Sequence, residues 1–137
     1  MLHRPVLLHE IIEGLALKVG EIVVDGTLGL AGHAIAISEK IGPAGRLIGL
    51  DQDVEALNSS RQVLANGSAK TTFAKDNFRH LKRVLSKEGI NSIDVLFLDL
   101  GMSSYQLEHS GRGFSFHKID EPLLMSFKKD PQANDIT

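Results

Sequence analysis

The sequence predicts an α/β fold, a partial parallel sheet with flanking helices, and three observations carry that expectation. Short β-branched apolar runs alternate with helical stripes along most of the chain. Three of those runs end in or near an aspartate: Asp25, Asp51 and Asp99. The first opens into a glycine-rich turn, Gly26 to Gly32, that leads into a helix.

Length and composition bound the rest. At 137 residues the chain fits one domain with a single core. Fifteen Lys and Arg against seventeen Asp and Glu leave a net charge of −2, so no strong overall field holds polyanions at a distance. Without cysteine there are no disulfides and no thiolate metal ligands, and no metal site is expected. Met1 to Glu10 lacks the apolar region of a signal peptide and no run is long enough to cross a bilayer, so a cytoplasmic location without membrane contact is expected.

Pro5 to Leu15 carries apolar residues at 7, 8, 11, 12 and 15, a helical stripe beside the sheet. Glu21–Asp25 reads as the first strand. Glycines at 26, 29 and 32 are expected to take positive φ and to let a ligand approach, while the following helix, about His33 to Ile41, aims its N–H groups and dipole at an anionic group. Intervals of three do not match G-x-G-x-x-G, and no G-x-x-x-x-G-K-[ST] occurs, which excludes the pyrophosphate and phosphate-loop fingerprints. An acidic strand end with a glycine turn fits an S-adenosylmethionine site; the bland alternative is a plain turn whose glycines serve packing.

Gly42-Pro43-Ala44-Gly45 stops the helix, and Arg46–Asp51 is the second strand. In a β-α-β unit Asp25 and Asp51 share one edge of the sheet, where such folds bind ligands, and Asp51 is placed to grip ribose hydroxyls. Asp53 is read as the cap of a helix from about Val54 to Leu64. After Asn66-Gly67-Ser68 comes a third strand, Thr71–Ala74, then Asp76-Asn77-Phe78, where Phe78 either faces a planar base or joins Leu81, Val84 and Leu85 in the core. Ile93–Gly101 is the most apolar run and is expected to be a central strand covered on both faces, with Asp99 near its exit. Gly101–Gln106 forms a polar loop. Ser110–Phe116, with Arg112, Phe114 and Phe116, suits either RNA contact or a packed surface loop.

These motifs together resemble one family, the ribosomal RNA small subunit methyltransferase H family, which methylates N4 of a cytosine in 16S RNA. The matching residues are His3–Glu10, Asp25–Gly29 with Gly32-His33, Asp51-Gln52-Asp53, Asp76-Asn77-Phe78, Asp99–Ser104 with Gln106-Leu107, and Arg112–Phe116. The resemblance implies a Rossmann-like class I S-adenosylmethionine-dependent methyltransferase fold, with the cofactor held by Ala31, Gly32, His33, Asp51, Phe78, Asp99 and Gln106. It implies Asp99 and Ser103 at the target amine, and 16S ribosomal RNA or the small ribosomal subunit as partner. Residues 1–106 would form the cofactor-binding core and 107–137 a substrate-side loop leading towards a helical insert.

Ala31 stands where the family usually has glycine, and its Cβ is expected to narrow the ligand's approach. Tyr105 replaces a usual proline, and Pro122–Phe127 departs from the usual Pro-Leu-Asp-Met-Arg-Met. With about four of the family's strands, the last strand is expected to expose a free edge and favour a homodimer. A non-catalytic RNA- or protein-binding module and a small-molecule methyltransferase are the alternative functions.

Overall fold

The computed structural model describes residues 7–101, 111–114, 117 and 119–122. The chain divides into two compact units, Met1–Asp99 and Leu100–Thr137, and the sheet lies in the first. Its elements follow in the order α1 (Leu8–Gly14), β1 (Ile22–Asp25), α2 (Gly32–Ile41), β2 (Arg46–Asp51), α3 (Val54–Leu64), β3 (Lys70–Lys75), a single 3-10 turn (Phe78–His80), α4 (Leu81–Lys87) and β4 (Val95–Phe97). The four strands form one parallel sheet in the order β3-β2-β1-β4.

The period-2 alternation of each strand sorts its side chains to two faces. Val23, Leu47 and Phe97 point to one face, where α2 buries Ala34, Ile37 and Ile41 and α3 adds Leu57 and Leu64; Ile11 and Ile12 of α1 pack at the margin. Val24, Ile48 and Leu50 point to the other, against Val84 of α4 and Ile90, with Leu81 and Leu85 beside them. Strands covered on both sides need the continuous apolar runs that β1 and β2 show.

Local signals end and begin the helices. Asp53 caps α3, its Oδ1 accepting from the Glu55 amide at 2.9 Å, as its place before Val54 predicts. Asn77 caps the 3-10 turn in the same way, accepting from the Arg79 amide at 2.9 Å. The fully buried Ser38 of α2 accepts from the Ala69 amide at 2.9 Å and so ties the start of β3 to the helix layer.

Two expectations are corrected. Among the described residues the apolar run Ile93–Gly101 yields a three-residue strand at one edge of the sheet, in place of the expected central strand, and Leu96 on the α4 side is 46% exposed. An apolar run reports what a strand is able to bury, and among the described residues no strand pairs with β4 on its far side. The second concerns backbone conformation. Of Gly26, Gly29 and Gly32, only Gly29 takes positive φ, at 51°, while the non-glycine Ala31 also does, at 61°. No helix among the described residues is long and apolar enough to cross a membrane.

Candidate functional site

Parallel strands deliver their carboxyl ends to one edge, and there the first unit gathers Asp25, Asp51, Asp76 and Asp99. Their environments differ sharply. Asp25 is 1% exposed, and burial pushes its carboxyl up to about 7; the nearby charges of Asp51 and Asp99 add to the rise, and hydrogen bonds from Thr27 oppose it. Asp51 is also raised, mainly by burial, although the Asp53 and Gly29 amides favour its charged form. For Asp76, burial alone would raise the carboxyl, but hydrogen bonds from Arg83, His80 and the Asn77 amide outweigh that and hold it at about 2.

A hydrogen-bonded turn recurs at the ends of β1 and β2. Asp25 Oδ1 accepts from the Thr27 amide at 3.0 Å, and Asp51 Oδ1 accepts from the Asp53 amide at 2.9 Å, each carboxylate closing on the residue two places on. The second oxygen of Asp51 accepts from the Gly29 amide at 2.8 Å, which folds the glycine turn onto the end of β2. Beside it the Leu28 amide donates to the Leu50 carbonyl at 3.0 Å.

The glycine turn is packed tightly from outside. A Cβ on Gly26 would stand 3.1 Å from the Phe78 Cβ and 2.5 Å from the Leu98 Cδ2, so glycine there is favoured by close approach and not by φ. Phe78 thus lies across the turn, still 37% exposed, and is not among the residues clustered with Leu81, Val84 and Leu85. Ala31 is the N-cap of α2, and no side chain caps that helix. Its own side chain is fully buried in the core beneath α2, so the expectation that its Cβ narrows a ligand's approach is corrected.

His33, in the first turn of α2, is buried with its ring centroid 5.1 Å from that of Phe97, and its Nδ1 lies 3.6 Å from Oδ2 of Asp99. Asp99 itself has left the sheet: two residues beyond β4 its amide donates to the Thr27 hydroxyl at 2.7 Å, and its side chain is 53% exposed. Of the residues expected at the site, Ala31, Gly32, His33, Asp51, Phe78 and Asp99 therefore lie on or beside the carboxyl edge. Ser103 and Gln106 fall outside the described residues. Thr27 is the residue that sequence reading passed over, though an Asp two places before it is the signal of such a turn.

In the second unit Arg112 and Phe114 are both buried, and the Gly113 amide donates to Glu121 at 3.0 Å, so this stretch packs its arginine and its first phenylalanine. Phe116 lies outside the described residues. Among the described residues, no group of three His, Asp or Glu is arranged to hold a metal ion.

The model of the MraW methylase family matches residues 1–136. The chain belongs to that family. Relatives of this MraW methylase family chain include the ribosomal RNA small subunit methyltransferase H of Desulforapulum autotrophicum, 47% identical over 123 residues that take in 90% of this chain and 39% of the relative. The protein of the same name from Dictyoglomus thermophilum is 41% identical over 129 residues, 94% of this chain and 43% of the relative. The chain thus spans about two fifths of the length of these curated relatives. In fold it is similar to the crystal structure of a SAM-dependent O-methyltransferase from Thermotoga maritima, with a TM-score of 0.57 at 18% identity over 73% of this chain and 36% of that one. The MraW family chain therefore has the Rossmann-like architecture expected of it.

Proposed function

We propose that this chain carries the S-adenosylmethionine-binding part of a methyltransferase that acts on N4 of a cytosine in 16S ribosomal RNA. The observation that carries the proposal is the hydrogen bond from the Gly29 amide to Asp51, which draws the glycine turn, the end of β2 and the start of α2 into one edge. Family membership and the names of its relatives support the same reading.

The residues present fit the cofactor. The start of α2 has no side-chain cap and no acidic residue in its first turn, which suits the methionine carboxylate; the dipole contributes about 0.3–1 kcal/mol. The oxygens of Asp51 accept from the Gly29 and Asp53 amides, with the Gln52 amide also favouring the carboxylate, and a carboxylate keeps acceptor capacity beyond these for a ribose hydroxyl. Phe78 offers an exposed apolar face to adenine. Gln106 completes the set in this reading.

The chemistry that S-adenosylmethionine supplies when bound is an electrophilic methyl group. The cytosine amine is a poor nucleophile because its lone pair is delocalised into the ring. Asp99 and Ser103 would orient that amine by accepting its hydrogens and would stabilise the positive charge that develops on it, a positional and electrostatic contribution. A splayed or single-stranded RNA site lowers the cost of delivering the base. Residues 107–137 would serve the substrate side in the cytoplasm, on 16S RNA or the small ribosomal subunit.

Calorimetric titration with S-adenosylmethionine tests the reading. Asp51→Ala should weaken binding by about 1.5–3 kcal/mol, roughly ten- to hundredfold, with folding checked by circular dichroism. Equal binding by the variant and the parent would refute it.

A further inference from the structure

We propose that Lys75, Arg79, Lys82, Arg83 and Lys87 form a contact surface for the phosphate backbone of RNA. The inference rests on the reading of the neighbouring site as that of an RNA methyltransferase.

Charge distribution points there first. Five of the fifteen Lys and Arg fall within residues 75–87, against one of the seventeen Asp and Glu, so this segment carries +4 while the remainder of the chain carries −6. A near-neutral chain thus hides a concentrated basic stretch.

Geometry then gathers it. Through the 3-10 turn and α4, Arg79, Lys82, Arg83 and Lys87 recur at helical spacing, and all four are exposed together with Lys75 at the end of β3. The opposite face of the same helix carries Leu81, Val84 and Leu85 into the core. The exposed face of α4 is therefore basic along its length, with Ser86 as its one uncharged member.

A solvated helix face usually interleaves signs, so that residues three and four apart attract. Here Arg79 and Lys82, Arg79 and Arg83, and Arg83 and Lys87 are like-charged neighbours at those spacings, which destabilises the helix. Asp76 offsets only part of this, because it is engaged by Arg83 at 2.7 Å and by His80 at 2.7 Å. Glu88 at the end of the helix is taken by Arg46 at 2.6 Å. Among the described residues no ion pair neutralises Lys75, Arg79, Lys82 or Lys87. Repelling cations held on one face suit an external polyanion, which releases counterions on binding. The row begins beside Phe78, so a strand lying on it passes the edge where the candidate cofactor site stands.

The test measures binding of the full chain to a single-stranded oligonucleotide of small-subunit ribosomal RNA by fluorescence anisotropy across a salt series. Each neutralised phosphate contributes about −0.7 to the slope of log K against log salt. The triple variant Arg79→Ala, Lys82→Ala, Lys87→Ala should lose about 2 from that slope and bind more weakly at low salt, while S-adenosylmethionine binding stays the same. Alanine favours helix at these exposed positions, so the variant should melt no lower than the parent. An unchanged slope overturns the proposal. So does loss of binding to vesicles containing phosphatidylserine with RNA binding intact, which would assign the face to a membrane. Failure of the parent chain to bind S-adenosylmethionine counts against the functional reading, independently of the slope.

Discussion

The amide of Asp99 donates to the hydroxyl of Thr27 at 2.7 Å, joining two residues 72 positions apart at the point where the chain leaves β4. Thr27 also donates its own amide to Asp25, so one residue connects a buried carboxylate to the backbone of an exposed one. Thr27→Val keeps the shape and removes the acceptor. It should cost about 0.5–1.5 kcal/mol of stability in urea unfolding, and Thr27→Ser should recover most of the loss.

Asp25 makes stability fall with rising pH. Its carboxyl is raised from 3.8 to about 7 in the folded chain, chiefly by burial, so the native state binds the proton more tightly than the unfolded state does. The contribution is complete below about pH 4 and is lost as pH climbs through 7, up to a ceiling on the order of 4 kcal/mol. Urea unfolding of Asp25→Asn should show a flatter dependence across that window. A slope equal to the parent's would remove Asp25 as its source.

The same group distinguishes two ligands. Ionisation of Asp25 adds negative charge beside Asp51 and Asp99. A sulfonium-bearing ligand should therefore gain affinity as pH rises through about 7, and the neutral thioether S-adenosylhomocysteine should gain less. Calorimetry with both ligands at two pH values makes the comparison.

Gly26→Ala should separate packing from binding. The new methyl meets the flexible end of Leu98 at 2.5 Å, which is able to swing aside, and the Phe78 Cβ at 3.1 Å, which is less free to move. A stability loss of about 1–3 kcal/mol is expected. If Phe78 faces adenine, S-adenosylmethionine affinity should fall as well, whereas S-adenosylmethionine binding equal to the parent's would assign Phe78 to packing alone.

Left-handed backbone gives a contrasting pair. Gly29 has φ of 51° with no side chain crowding it, so Gly29→Ala should cost about 1 kcal/mol or more in strain. Ala31→Gly relieves similar strain at φ of 61° but deletes a fully buried methyl group, a loss of about 0.8 kcal/mol. The two effects nearly cancel, and thermal melting should place Ala31→Gly within about 1 kcal/mol of the parent.

The strand-end aspartates and the cap at Asp53 were legible because each depends on neighbours within a few residues. The alternation of Val23 with Val24 likewise announced two covered faces. Edge position was not legible in the run itself and entered only through the count of about four family strands: Val95, Leu96 and Phe97 are apolar whether or not a further strand lies beyond them. Nor was the conformation of Ala31, since alanine carries no signal for positive φ. The engagement of Asp51 by Gly29 spans 22 residues, and no local pattern reports a contact of that kind.

That contact also bears on when the glycine turn becomes ordered during folding. The amides of Leu28 and Gly29 both find their acceptors on residues 50 and 51, across the whole β1-α2-β2 crossover. Closing so long a segment comes at an entropic cost before either bond forms. The turn is therefore a late-maturing element, whose amides should exchange with deuterium at the rate at which β2 separates from β1, and the nascent chain should remain unable to recognise its ligand until the second strand has docked.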